Sequence, residues 1–458
     1  MKKELALCIG LLSGTCGLAH AADVPSQDEM NGLYNFAYPL VLMELTKHYQ
    51  VKSGVSGINT FAHYRKLLDN DFDSVVTVNV DTLYSIAHLS LEDGPVRIEV
   101  PVTEGFYYMM PILDGWTNVI AEPGTRTTGT GQTHLFVTGP GWQGEVPEGY
   151  VHIASPTNLA WAIGRFRADN EAQFPSIHAL QDKFSITTEG VAATTEYAQL
   201  HSVPAMPTVR DGMAPDHQLS EYSAKEFFAT FCELLENNPP NAADQPMMDR
   251  FTTTGLVNPG CATDTGLYAE PELDGLYAES KGIIDASLKL LSARTATQGW
   301  RAARGLGEYG TNYTQRALTA KLGLGANKGA DAIYPGTYTD SEGQPLDGHN
   351  QYVLHFEKEE LPPVKGFWSL TAYDKVRALI ENPGDHYSVS DRSGMTFNDD
   401  GSLTIYIQHE QPEEAAKRSN WIYVDEAPFN LVMRLYWPSE SILSGEWNPP
   451  LLNKVAAH

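Results

Sequence analysis

Apolar residues recur at helical spacing only in parts of this chain. Over 28–49, Met30, Leu33, Tyr34, Ala37, Val41 and Leu45 share one face, which predicts a helix kinked at Pro39. Between 74 and 166 the period shortens. SVVTVNV, PVRIEVP, FYYMMPIL, HLFVTGP and NLAWAIGRF are rich in Val, Ile, Tyr and Phe and are separated by Gly/Pro turns, as in an antiparallel sandwich or barrel. Helical spacing returns over 169–330, best at 171–184, 224–235, 277–293 and 313–322. Ser220 or Ser223 would cap the second of these, with Glu226 completing a capping box. From Asp331 onward strands resume with QYVLHF, GFWSLTAY, SLTIYIQ, NWIYV and FNLVMRLYWP.

The pattern reads as mainly β with a helical insert: two antiparallel β-sandwich domains joined by an α-helical region. The divisions are a leader over 1–21, a helix plus sandwich over 22–168, the helical region over 169–330, and a second sandwich over 331–458. The two β regions resemble each other. Residues 94–114 can be laid against 350–374, and 134–166 against 403–436, where Arg165 and Arg434 each fall in the closing strand. A duplicated module is the preferred reading, with chance likeness between two β-rich stretches as the alternative.

Lys2 and Lys3, the apolar run from Leu5 to Leu12 and Ala19-His20-Ala21 have the form of a secretory signal cut after Ala21, which places the protein in the periplasm or outside the cell. A lipoprotein signal ending at Cys16 is the rival. Cys8 and Cys16 leave with the leader, and Cys232 and Cys261 remain as an expected disulfide in an oxidising compartment. With 31 Lys+Arg against 57 Asp+Glu, the formal charge of −26 argues against nucleic acid and anionic membrane surfaces. No run after residue 22 is long and apolar enough to span a bilayer.

NVDTLYSIAHLSLEDGPV (79–96), GFWSLTAYD (366–374), Asn420-Trp421 and RLYWP (434–438) carry a resemblance. The chain is similar to bacterial proteins that join domain of unknown function 1254 to domain of unknown function 1214. That resemblance implies two sandwiches, the second jelly-roll-like, flanking a helical region, and it implies no activity.

Several residues are candidates for chemistry. Alternation along VVTVNVDTLYSI sets Asn79 and Asp81 side by side, as a carboxylate oriented by an amide for acid–base work or as an Asx-type turn. Arg165 and Arg434 lie in apolar strands, where a guanidinium needs a carboxylate from the protein or a ligand. Arg126 is a third basic candidate, on a loop. Tyr84, Trp368 and Tyr373 are candidates to line a cleft and stack on a ligand.

Other motifs carry less. GLGEYG (305–310) follows a helix and not a strand, so no dinucleotide site is expected. His349 and His355 lack a third ligand, so neither a metal nor a cofactor is expected. The turns holding Asp340 and Asp399 are hairpin turns or weak calcium loops. The expectation is an exported enzyme acting on a small molecule through a metal-independent acid/base site beside the sandwiches. The alternative is a non-catalytic envelope protein binding a carbohydrate, small molecule or protein, and homo-oligomers are open to either.

Overall fold

The computed structural model describes residues 24–68, 79–257, 261, 270–295, 299–380, 384 and 386–455. Residues 1–21, where a leader is expected, and residues 74–78 of the first expected strand lie outside them. Helix α1 (Gln27–Lys52) starts at a capping box between Ser26 and Glu29 and contains Pro39. It is packed nearly all round by α3 (Pro215–Ser220), α4 (Ala224–Asn237), α5 (Gln245–Thr253), α6 (Glu270–Thr295) and α7 (Tyr313–Gly323). Their shared core includes Leu33, Phe36, Val41, Phe227, Phe231, Phe251 and Tyr277. Ser223 and Glu226 form the second capping box, as expected, and a disulfide joins Cys232 of α4 to Cys261. A further helix, α2 (Phe174–Gln181), packs Ile177 and Leu180 into the first sandwich.

Each β region is a pair of facing sheets. In module one the larger sheet runs β1 (Ala62–His63), β2 (Thr82–Ser90), β9 (Leu159–Arg167), β5 (Ile112–Asp114), β6 (Val119–Ala121), with β4 (Tyr108–Met109) also on β9. The smaller runs β10 (Ser185–Thr188), β3 (Val96–Val100), β7 (Thr133–Thr138), β8 (Tyr150–Ala154). In module two the larger sheet runs β11 (Ala332–Ile333), β18 (Phe429–Pro438), β14 (Val364–Asp374), β15 (Ser388–Ser390), with β12 (Gly336–Thr337) on β18. The smaller runs β19 (Asn453–Lys454), β13 (Tyr352–Phe356), β16 (Leu403–Gln408), β17 (Trp421–Tyr423).

The two orders correspond, β2 with β11 and β12, β9 with β18, β4 and β5 with β14, and β6 with β15, while β1 has no counterpart among the described residues, and the register agrees as well. Met109 lies opposite Arg165 as Ser369 lies opposite Arg434. Asp114 lies opposite Ala160 as Asp374 lies opposite Phe429. The pairing is antiparallel except at one equivalent place in each module, β7 with β8 and β16 with β17, which run parallel. A loop that crosses back over the sheet, instead of a tight hairpin, joins each of these pairs.

Alternation sets what each strand buries. In module one, Leu83, Ala87 and Leu89 of β2 and Ala160, Ala162 and Phe166 of β9 meet Ile98, Leu135 and Val137. In module two, Trp368, Leu370, Leu431, Met433 and Leu435 meet Leu354, Phe356, Ile405 and Ile407. The intervening residues therefore leave the sandwich cores, and these include Tyr84, Arg165, Ser369, Thr371, Tyr373 and Arg434. On module one, α1 covers part of this outer face through Met43 against Ile86 and Trp161. Module two covers another part, where Tyr107 and Met109 meet Phe367, Ala332 and Tyr436.

Candidate functional site at the junction of the two modules

Arg165 projects from the outer face of β9, opposite Tyr84, whose ring lies 5.4 Å from the guanidinium. The loop after α7 supplies its other partners. Arg165 donates to the Gly325 carbonyl at 3.3 Å and to Asn327 Oδ1. Gly325 has φ +85°, and a Cβ there would stand 2.7 Å from Ile163 Cδ1, so only glycine lets this backbone come down onto β9. Asn327 then uses its amide Nδ2 to donate to the Tyr334 hydroxyl at 2.6 Å. Arg165 is 9% exposed, and among the described residues no carboxylate lies within ion-pair distance of it. The expected carboxylate is replaced by a neutral amide, a carbonyl and a ring.

Arg434 holds the equivalent place on β18 with different partners. It donates to Thr371 Oγ1 at 3.2 Å and to the Tyr373 hydroxyl at 2.5 Å. The positions of module one that correspond to Thr371 and Tyr373 are Pro111 and Leu113, which have no hydroxyl to offer. The matched arginines are thus equivalent in register and unlike in surroundings. Tyr373 is fully buried against Arg434, while Trp368 turns the other way into the module-two core.

Asn79 and Asp81 do come together, as an Asx-type turn: the Asp81 N–H donates to Asn79 Oδ1 at 2.7 Å. Asn79 also donates to the Tyr436 hydroxyl at 2.9 Å. Both oxygens of Asp81 are engaged by module two, Oδ2 by the Ser369 hydroxyl at 2.6 Å and Oδ1 by Arg392 at 2.7 Å. Asp81 and Arg392 are almost fully buried. This carboxylate ties the two modules together, each oxygen accepting a hydrogen bond from module two.

Asp81 has a counterpart. Asp81-Thr82-Leu83-Tyr84 corresponds to Asp331-Ala332-Ile333-Tyr334, because Thr82 and Ala332 occupy matching registers beside β9 and β18. Asp331 Oδ1 accepts from Arg126 Nε of module one at 2.6 Å. Arg126 also binds Glu122 at 3.0 Å, so it is a half-buried cross-module tie and not the solvated loop residue a loop placement suggests. The junction thus carries two crossed Asp–Arg pairs. They differ in that Asp331 Oδ2 and the nearby Tyr107 hydroxyl are buried with no hydrogen-bond partner. Burial and the neighbouring Asp331 carboxylate both raise the Glu122 pKa above the ordinary range.

Beside this junction is a pocket of about 40 Å³, walled by Ala303, Leu306, Ala332 and Ile333, with Asn327 and Tyr334 as its polar lining. Burial raises the Tyr334 hydroxyl above its usual pKa, against the pull of the Arg165 and Arg434 guanidiniums.

The family can now be stated. A family model described as a protein of unknown function, DUF1254, matches residues 58–188, and a second of the same description, DUF1214, matches 331–440. The chain belongs to the family that joins DUF1254 to DUF1214. The crystal structure of the VPA0106 protein from Vibrio parahaemolyticus is similar to it at 25% identity and a TM-score of 0.68, over 94% of this chain and 100% of that one. An uncharacterized protein from Burkholderia cenocepacia aligns over 96% of this chain and 91% of its own at 11% identity, with a TM-score of 0.44. No curated protein matches the chain.

The remaining candidates are local. Asp340 Oδ1 accepts from the backbone of Glu342 and Gln344, as a turn requires. His355 meets Thr404, and His349 meets Asp347. Among the described residues no group of three His, Cys, Asp or Glu side chains is placed to hold a metal. None of the helices described is long and apolar enough to cross a membrane. Sequence reading missed Gly325, Asn327, Ser369, Asp331 and Arg392. The repeated Asp-x-[Leu/Ile]-Tyr at 81 and 331, and Arg-Thr-Thr-Gly at 126 against Arg-Ser-Gly at 392, were the signals that could have found the last two.

Proposed function

We propose that this DUF1254–DUF1214 protein is exported and binds a small molecule without a metal, at the junction where the outer faces of its two larger sheets meet. The observation that carries this reading is a polar chain, Arg165–Asn327–Tyr334, whose last two members line a pocket with otherwise apolar walls, a composition that suits a small molecule. The leader sequence and the Cys232–Cys261 disulfide support a periplasmic or extracellular location. The test is a thermal melt of the mature protein against a metabolite library, since a ligand of the native state raises the midpoint by mass action. Tyr334→Phe should blunt the response of any hit, and an unchanged response would place the hit elsewhere.

A catalytic reading is favoured by one further observation. Asp331 Oδ2 lies beside the Tyr107 phenol and the Glu122 carboxyl, whose pKa it raises, whereas both oxygens of Asp81 accept from Ser369 and Arg392. Turnover, if present, should then fall with Asp331→Asn more than with Asp81→Asn after correction for folded fraction. The reverse order would return the acid/base role to Asp81.

A further inference from the structure

A guanidinium removed from water normally acquires a counter-charge, because neutral hydrogen bonds recover only part of the lost solvation. Arg434 has Asp81 in its electrostatic neighbourhood. Arg165 is bound by Asn327, the Gly325 carbonyl and the Tyr84 ring, all neutral. The construction of this setting is specific. Glycine at 325 brings the loop onto β9, and Asn327 is gripped on both sides, accepting from Arg165 and donating to Tyr334.

Asn327 and Tyr334 are also the pocket's polar lining, so Arg165 stands directly behind the groups an entering molecule would touch. Arg165 thus supplies a buried positive charge behind the pocket's polar lining, in a chain of net charge −26. Lys328, nearby, is already matched by Glu122 and Glu308 and adds little. The apolar walls and the 40 Å³ volume suit a short hydrocarbon stem and exclude a sugar ring with its shell of hydroxyls.

We propose that the junction pocket takes a small organic monocarboxylate, its carboxylate received by Asn327 Nδ2 and the Tyr334 hydroxyl and neutralised by Arg165. This rests on the small-molecule reading above and adds the ligand's charge and size. The test uses calorimetry on the mature protein with acetate, propionate and butyrate, each against its own amide. Two variants go with the wild type, Arg165→Met and Asn327→Asp. The second keeps the side-chain volume and gives Arg165 an internal counter-ion, so it should fold even where Arg165→Met does not.

The expected result is that at least one carboxylate binds, its amide binds on the order of tenfold more weakly or not at all, and Asn327→Asp weakens the carboxylate by roughly tenfold or more. Carboxylate affinity unchanged in Asn327→Asp would overturn the proposal. So would tighter binding of the amides, which would leave the small-molecule reading standing. Failure of both carboxylates and amides to bind would overturn the carboxylate assignment, and the library melt then decides the broader reading by itself.

Discussion

The two modules carry the same strand order, the same registers and the same outward-facing arginine, yet they solve the burial of that arginine differently. Module two surrounds Arg434 with hydroxyls from its own β14, Thr371 and Tyr373. Module one has Pro111 and Leu113 at those places and must borrow Asn327 and Gly325 from the loop after α7. A guanidinium met by hydroxyls of its neighbouring strand belongs to the structure, whereas one that depends on a loop, next to a pocket, is available for function. Duplicated folds let such a difference be read directly, because one copy serves as the reference for the other.

The comparison can be broken most severely at the crossed ion pairs. Asp81→Ala would remove the close 2.7 Å partner of the buried Arg392 and leave it only Asp169 and Asp391 at 3.8 Å, and should cost about 3 kcal/mol in denaturant unfolding. Its counterpart Asp331→Ala should cost less, about 1–2 kcal/mol, because Arg126 is more exposed and keeps Glu122. Equal losses would mean that burial does not distinguish the two ties.

Next in size is a pH effect on Asp114, whose equivalent in module two is Asp374. Burial raises the Asp114 pKa to about 6, against hydrogen bonds from Asn118. A carboxyl whose folded pKa exceeds its unfolded value stabilises fully below the unfolded pKa, near 3.8, and that contribution is lost as pH rises through about 6. Asp114→Asn should therefore match wild type near pH 4 and gain stability toward pH 8, by about 3 kcal/mol at most. A melting-temperature difference that does not change between pH 4 and pH 8 would exclude this account.

The smallest effect is expected where the modules differ by a hydroxyl. Tyr107→Phe makes module one match Phe367 and removes a buried hydroxyl without a partner, so stability should change by less than about 1 kcal/mol. A larger loss would reveal a bond, direct or through water, that holds Tyr107 to Asp331.

Much of the fold was legible because periodicity is local. Residues 224–235 show their helix and capping box in sequence, and QYVLHF and SLTIYIQ show alternation that maps onto β13 and β16. The arginines stood out because a charge in NLAWAIGRF or FNLVMRLYWP breaks an apolar run. Their partners did not stand out, since nothing local ties Asn327 to Arg165 or Ser369 to Asp81. Those pairs depend on how the sheets meet, and the spacing of Asn79 and Asp81 is equally compatible with catalysis and with the Asx turn that forms. Trp368 and Tyr373 illustrate the same limit, because alternation separates them onto two faces without saying which face is the core.

The crossed pairs join residues 311 and 205 positions apart along the chain. Loop closure over such spans is slow, and neither tie can form before the second module's strands are in place. The pocket wall that includes Tyr334 is thus among the last parts of the molecule to be completed. A nascent or nicked chain could hold well-formed individual sandwiches and still have no working pocket, so ligand response would serve as a gauge of finished assembly more demanding than secondary-structure content.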